Sequence, residues 1–170
     1  MRERDHGEFE RFVDDHRVAV WRYAVRRAEP ADVDDVVAET FTVAWRRWPE
    51  ARAGGLPWLF RTASFVLANG ARGRNRETRL FARLAALPAE SGESDLRAVE
   101  QRLAVADVLR QLTPSEQELV ALLYWEGLSV RDAAAVLGCT PTTASVRLHR
   151  LRARLRRWQG LVPDPAGRSS

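Results

Sequence analysis

Residues 128–158, LSVRDAAAVLGCTPTTASVRLHRLRARLRRW, read as two short helices around a tight turn, the second carrying a dense row of arginines. Ser129 is placed to cap the first helix, with Asp132 three residues on as a shortened capping box, because the first backbone N–H groups of a helix have no partner of their own. Ala134 is small enough to let a second helix cross closely, and Gly138 stands where the chain must turn through positive φ. Thr140 caps the second helix and Pro141 takes its first position, where a missing N–H costs nothing. Along it Ala144, Leu148, Leu151 and Leu155 form one narrow apolar stripe at i, i+4, i+7 and i+11. Thr142, Ser145, Val146, His149 and Arg150 lie on the other side. The pattern predicts a helix-turn-helix with an exposed recognition helix. A basic helix hairpin packed in a bundle is the competing reading; the agreement of caps, small residues and turn glycine favours the first.

The chain has 170 residues, 29% of them charged and 45% apolar, which suits one ordinary soluble domain or two small ones. No apolar run approaches the roughly 18–20 residues of a membrane span. The N-terminus, MRERDHGEFERF, has no apolar signal-peptide core, so a cytoplasmic protein without membrane insertion is expected. The single cysteine, Cys139, excludes an intramolecular disulfide and a cysteine-cluster metal site, and is expected as a small buried filler. All 27 basic residues are arginine, a codon bias in origin, yet arginine suits phosphate and base edges better than lysine. The net charge of +4 is unevenly spread: −3 over residues 1–50, +6 over 51–86, −5 over 87–130 and +6 over 131–170. Two basic blocks separated by acidic ones suggest two separate contacts with a polyanion.

Residues 9–27 predict a helix with Phe9, Phe12, Val13, Val20, Trp21 and Ala24 on one face. A second helix follows over about 33–48, with Asp32 as N-cap. Asp34, Asp35 and Glu39 form an acidic patch near its start, for which complementarity to the helix dipole, about 0.3–1 kcal/mol per acid, is the plain account. Residues 49–57, PEARAGGLP, read as a loop, and residues 57–72 as a helix. On that helix Leu59, Phe60, Ala63, Val66, Leu67 and Gly70 gather on a buried side. Trp58, Arg61, Phe65, Asn69 and Arg72 make a separate stripe. Aromatic rings and guanidiniums interleaved this way suit single-stranded DNA, where bases stack and phosphates pair. A wider core contact with solvated arginines is the alternative, and the residues leave both open. Residues 88–95 are polar, acidic and rich in breakers, as in a flexible linker. Further helices are expected over 96–112 and after the Thr113 cap, the latter with Leu119, Leu122, Leu123 and Trp125 as its apolar face. The expected architecture is all-α: a domain over 1–86, a linker over 87–98, a helix-turn-helix domain over 99–158 and a disordered tail over 159–170. There is no Gly-rich phosphate loop, no His/Cys metal spacing and no nucleophile–base pair, so no catalytic residue, cofactor or metal is expected.

Together these motifs resemble the sigma-70 family of bacterial RNA polymerase sigma factors, in the small extracytoplasmic-function (ECF) group, from about Phe9 to Trp158. DVDDVVAETFTVAWRRW, residues 32–48, is similar to the family's region 2 helix, with Val33, Asp34 and Ala38 replacing alanine, glutamate and glutamine. WLFRTASFVLANGARGR is similar to the helix that reads and opens the minus-10 promoter element, and the segment around Arg47 to Pro57 to the loop that captures a flipped base. Ser64-Phe65 stands where many relatives have Arg-Asn. Residues 112–156 resemble region 4, the reader of the minus-35 element. There Leu123 replaces a common arginine, Thr142 a glycine, Ser145 a basic residue and Val146 a serine.

The resemblance implies a promoter-specificity subunit that makes and breaks no bond. Asp34, Asp35 and Glu39 would dock on the clamp of core RNA polymerase. Trp58, Arg61, Phe65, Asn69 and Arg72 would take the minus-10 DNA. Arg131, Thr142, Ser145, Val146, Arg147, His149 and Arg150 would read the minus-35 element, with Val146 suited to a thymine methyl group. Promoter DNA and core polymerase are the implied partners, and an anti-sigma factor is a further one that small sigmas commonly have. A stand-alone helix-turn-helix regulator is the alternative function; it leaves the second basic block and the Trp58–Arg72 stripe without a task.

Overall fold

The structure, a computed structural model, describes residues 3–70 and 111–155. The expected linker, the tail, Arg72 and most of the helix expected over 96–112 lie outside these residues. The chain divides into two compact units, Met1–Arg76 and Glu77–Ser170. Every described element is helical: α1 (Glu3–Val25), α2 (Val33–Arg46) and α3 (Trp48–Gly70) in the first unit, α4 (Pro114–Tyr124), α5 (Val130–Leu137) and α6 (Pro141–Leu155) in the second.

In the first unit the three helices pack on one another around Val20, Phe41, Ala44, Trp48, Ala51 and Leu59. An aromatic cluster fastens α1 to α2 and to the start of α3. Phe9 lies 4.7 Å from Trp45 and 5.4 Å from Trp48, and Phe12 lies 5.3 Å from Trp48, the last two edge-on as ring quadrupoles favour. Deeper in, Tyr23 and Phe60 stack at 4.7 Å, with the Arg27 guanidinium 3.6 Å above the tyrosine. Trp21 departs from its expected place. Val20 is wholly buried and one residue turns a helix by about 100°, so Trp21 faces outward, 47% exposed. Asp32 makes no cap hydrogen bond. A 3-10 turn over Pro30–Asp32 feeds directly into α2, which leaves Asp32 with helical φ and ψ and no capping geometry.

Residues 49–57 are not the expected loop. Alanines and the buried Trp48 carry the helix on to Gly54, and the break is confined to Gly55, whose φ of 55° and ψ of −144° lie where only glycine sits without strain. Pro57 follows as the chain re-enters helix, where its missing N–H costs little. Arg52 pairs with Glu8 of α1 at 2.8 Å across this bend.

The second unit follows the expected helix-turn-helix. The Ser129 hydroxyl accepts from the Asp132 N–H at 3.1 Å and the Thr140 hydroxyl from the Thr143 N–H at 3.1 Å. Gly138 turns the chain at φ 67°, and the N–H groups of Gly138 and Cys139 close on the carbonyls of Ala135 and Ala134. Ala144, Leu148 and Leu151 are buried as the stripe predicts, Leu151 in one cluster with Leu112, Val120 and Ala121. Val120 and Ala121 of α4 are buried too, whereas Leu123 and Trp125 are only half-covered, as is Cys139.

The start of α4 anchors this unit. Thr113 and Glu116 form a complete capping box, the Thr113 N–H donating to Glu116 at 2.9 Å and the Glu116 N–H to the Thr113 hydroxyl at 3.3 Å. The same carboxylate receives Arg154 of α6 at 2.9 Å, tying the far end of the recognition helix to the start of α4. Burial pushes the Glu116 carboxyl up, but the Thr113 N–H, the Arg154 guanidinium and the Thr113 hydroxyl outweigh it and hold the group below its ordinary 4.5.

Two stability predictions follow from these contacts. Gly55→Ala should cost about 1–3 kcal/mol, read as a lower urea midpoint, because alanine strains at that φ and ψ. A carboxyl with a lowered native pKa contributes stability that is present above 4.5 and lost as pH falls below it. Urea titrations between about pH 7 and about pH 3 should therefore show Glu116→Gln losing less stability on acidification than the natural chain.

Candidate nucleic-acid interface

The candidate nucleic-acid residues fall on two surfaces, one in each unit. In the first, α2 and the second part of α3 border a groove of about 440 Å³. Glu39 and Val43 line it from α2 and Arg47 from the residue that caps that helix; Trp58, Arg61, Thr62, Phe65, Val66, Asn69 and Gly70 line it from α3. Trp58, Arg61, Phe65 and Asn69 of the expected stripe thus share one groove. Phe65 is 57% exposed, so it does not extend the core, while Trp58 is half-buried and packs on the core cluster.

Both rings carry a cation. The Arg61 guanidinium lies 5.7 Å from the Phe65 ring centre and that of Arg47 6.0 Å from Trp58. Arg47 is held in turn by Glu50 through two bonds of 3.1 and 3.3 Å. A backbone hydrogen bond of its own, then Arg47, keep the Glu50 carboxyl below its usual range. Gly54 lets Trp58 close down on the bend, since a Cβ there would stand 2.5 Å from the Trp58 Cβ. Sequence reasoning missed Val43 and named Arg47 only as the start of the segment similar to the base-capturing loop; the signal was the i, i+4 series Glu39, Val43, Arg47 running along α2 to its C-cap.

Asp34 and Asp35 stand exposed in the first turn of α2, and Glu39, also exposed, one turn further on. The acidic patch and the groove wall are therefore continuous along one helix.

In the second unit Thr142, Ser145, Val146, His149 and Arg150 are exposed on α6 and Arg131 on α5. Val146 is 43% exposed on this otherwise polar face. Arg147 is placed differently: half-buried, it donates to the Ser115 hydroxyl at 3.1 Å, back toward α4. Sequence spacing alone did not reveal that the arginine row splits, with Arg147 and Arg154 bracing α6 on α4 and Arg150 facing out. Among the described residues no group of three His, Cys, Asp or Glu side chains could hold a metal ion, and no helix is long and apolar enough to cross a membrane.

Comparison with known proteins places this geometry. The family model described as Sigma-70, region 4 matches residues 102–155, which contain the helix-turn-helix. The ECF RNA polymerase sigma factor SigL of Mycobacterium tuberculosis is 32% identical over 146 residues, covering 80% of each chain. The solved structure of CnrH in complex with the cytosolic domain of CnrY superposes with a TM-score of 0.56 at 29% identity, over 88% of this chain and 86% of that one. RpoE of Bartonella quintana, solved in complex with the anti-sigma factor NepR, shares the fold, with a TM-score of 0.60 at 24% identity over 88% and 95% of the two chains. On its helix-turn-helix, its two helical units and these relatives together, the chain belongs to the ECF group of the sigma-70 family of RNA polymerase sigma factors.

Proposed function

We propose that this sigma factor, a non-catalytic subunit, reads its promoter at two places and docks on core RNA polymerase through its first unit. The exposed face of α6, with Thr142, Ser145, Val146, His149 and Arg150, together with Arg131, enters the major groove of the minus-35 element. Arg147, braced on Ser115 at 3.1 Å, joins that set from the side of α6 nearest α4. The groove beside Trp58, Arg61, Phe65 and Asn69 takes the melted minus-10 strand, with Arg72 extending the stripe. Stacking offsets the few kcal/mol needed to unstack each base. Asp34, Asp35 and Glu39 form the polymerase-docking face.

One observation carries this reading above the others: Phe65, a large aromatic ring, stands more than half exposed beside Arg61 in an open groove, in a unit separate from the helix-turn-helix. A stand-alone regulator has no use for a second nucleic-acid surface of this kind. A regulatory partner chain is part of the proposal, supported by CnrH, whose structure holds the cytosolic domain of CnrY.

Transcription by core polymerase with this chain as the only added sigma tests the function: start sites should map to promoters sharing two spaced elements. Tight, specific duplex binding by the chain alone, unaffected by polymerase, would establish the stand-alone regulator instead. Within that assay Arg150→Ala should cost about 1–3 kcal/mol and relax preference at a single base; a uniform loss over all promoter sequences would make Arg150 a phosphate contact.

A further inference from the structure

The groove of the first unit has an unexpected charge for a DNA site. Glu39 lines it together with Arg61, Phe65 and Asn69. Its carboxylate is exposed, and among the described residues nothing bonds to it. Arg47, the other lining cation, is already paired with Glu50. The described lining groups are thus close to neutral, whereas single-strand grooves ordinarily carry a clear cationic excess.

Glu39 also sits one helical turn beyond Asp35, so a basic surface that covers Asp34 and Asp35 comes within reach of it. One carboxylate belongs to both the docking face and the DNA groove.

We propose that Glu39 is an electrostatic gate: in the free chain it repels single-stranded DNA from the groove, and a basic docking surface on α2 neutralises it and opens the groove to DNA. Docking and strand binding are then coupled through one side chain, with no conformational change required. The inference rests on the reading of the groove as the single-strand site, and the test separates the two.

The full-length chain is titrated against a fluorescently labelled single-stranded oligonucleotide of the promoter's non-template sequence at low ionic strength, with anisotropy as the readout. Removing one negative charge at groove distance should make Glu39→Gln bind roughly two- to fivefold more tightly, an advantage that shrinks as salt is raised. Asp14→Asn, the same change in net charge on the exposed side of α1, should leave affinity nearly unchanged. Phe65→Ala should weaken binding. With saturating core polymerase, the natural chain and Glu39→Gln should hold the same oligonucleotide equally.

Equal or weaker binding by Glu39→Gln in the free chain overturns the gate, weaker binding making Glu39 an acceptor for base amino groups. Equal tightening by Asp14→Asn overturns it as an effect of net charge alone, and an advantage that persists with polymerase overturns the coupling. If Phe65→Ala changes nothing, the groove is not the strand site and both readings fall. Circular dichroism of each variant confirms that the helices are intact.

Discussion

The first unit depends on how the chain passes from α2 to α3 without a loop. Arg47 alone separates the two helices, and Trp48, fixed by the rings of Phe9 and Phe12, starts α3 inside the core. The change of direction then falls on Gly54 and Gly55. Gly55 supplies a backbone conformation that a Cβ forbids, and Gly54 leaves the space into which Trp58 closes. With Trp58 held there, the turns that follow are in fixed register. Leu59, Phe60 and Ala63 go inward, while Arg61 and Phe65 line the groove. The aromatic cluster and the glycine pair are two halves of one device, the first fixing where α3 begins and the second where its second part points.

Much of this was legible in the sequence, because the signals were local. Caps at Thr113, Ser129 and Thr140, the turn at Gly138 and the stripe Ala144, Leu148, Leu151 each depend on residues within about three turns of helix, and each is formed as read. Failures occur where a neighbour in space decides. Trp21 fits the apolar periodicity of α1 loosely, and no described helix covers that side, which leaves it 47% exposed. PEARAGGLP has the composition of a loop, yet Trp48 and Ala51 are buried against α1 and α2, and that burial draws the segment into helix. Asp32 has the right spacing for a cap, but the preceding 3-10 turn removes the geometry that a cap needs. The groove stripe was legible as a pattern; that Glu39 and Arg47 face it required the packing of α2 on α3.

Arginine is the only basic side chain besides histidine in this protein, so location must do the work that residue type does elsewhere. Arg27 covers Tyr23, Arg47 is held by Glu50, Arg52 by Glu8, Arg147 by Ser115 and Arg154 by Glu116. Exposed pairs of this kind contribute little to stability, with a median of about 0–1 kcal/mol. Their larger effect is to fix guanidiniums in place. The Arg154 pair differs in that Glu116 is mostly covered and already a cap, so one carboxylate holds a helix start and a helix end together.

That division of arginines bears on how such a protein selects a promoter. Non-specific DNA affinity grows with the number of phosphates neutralised, and each such contact steepens the dependence on salt. On the proposed reading face of α6, Arg150 and Arg152 are exposed among Thr142, Ser145, Val146 and His149, while Arg147 and Arg154 bond to α4. On that reading the exposed arginines would hold phosphates, and base edges with a thymine methyl group would supply the discrimination. In the groove of the first unit Glu39 offsets Arg61 and Glu50 pairs with Arg47, which leaves the described lining near neutral. On the proposed function, selectivity would come from engaging both surfaces at once, since the second contact forms at the high effective concentration that the first provides. Docking on polymerase would add the remaining affinity, so that recognition could stay sensitive to sequence while overall binding is strong.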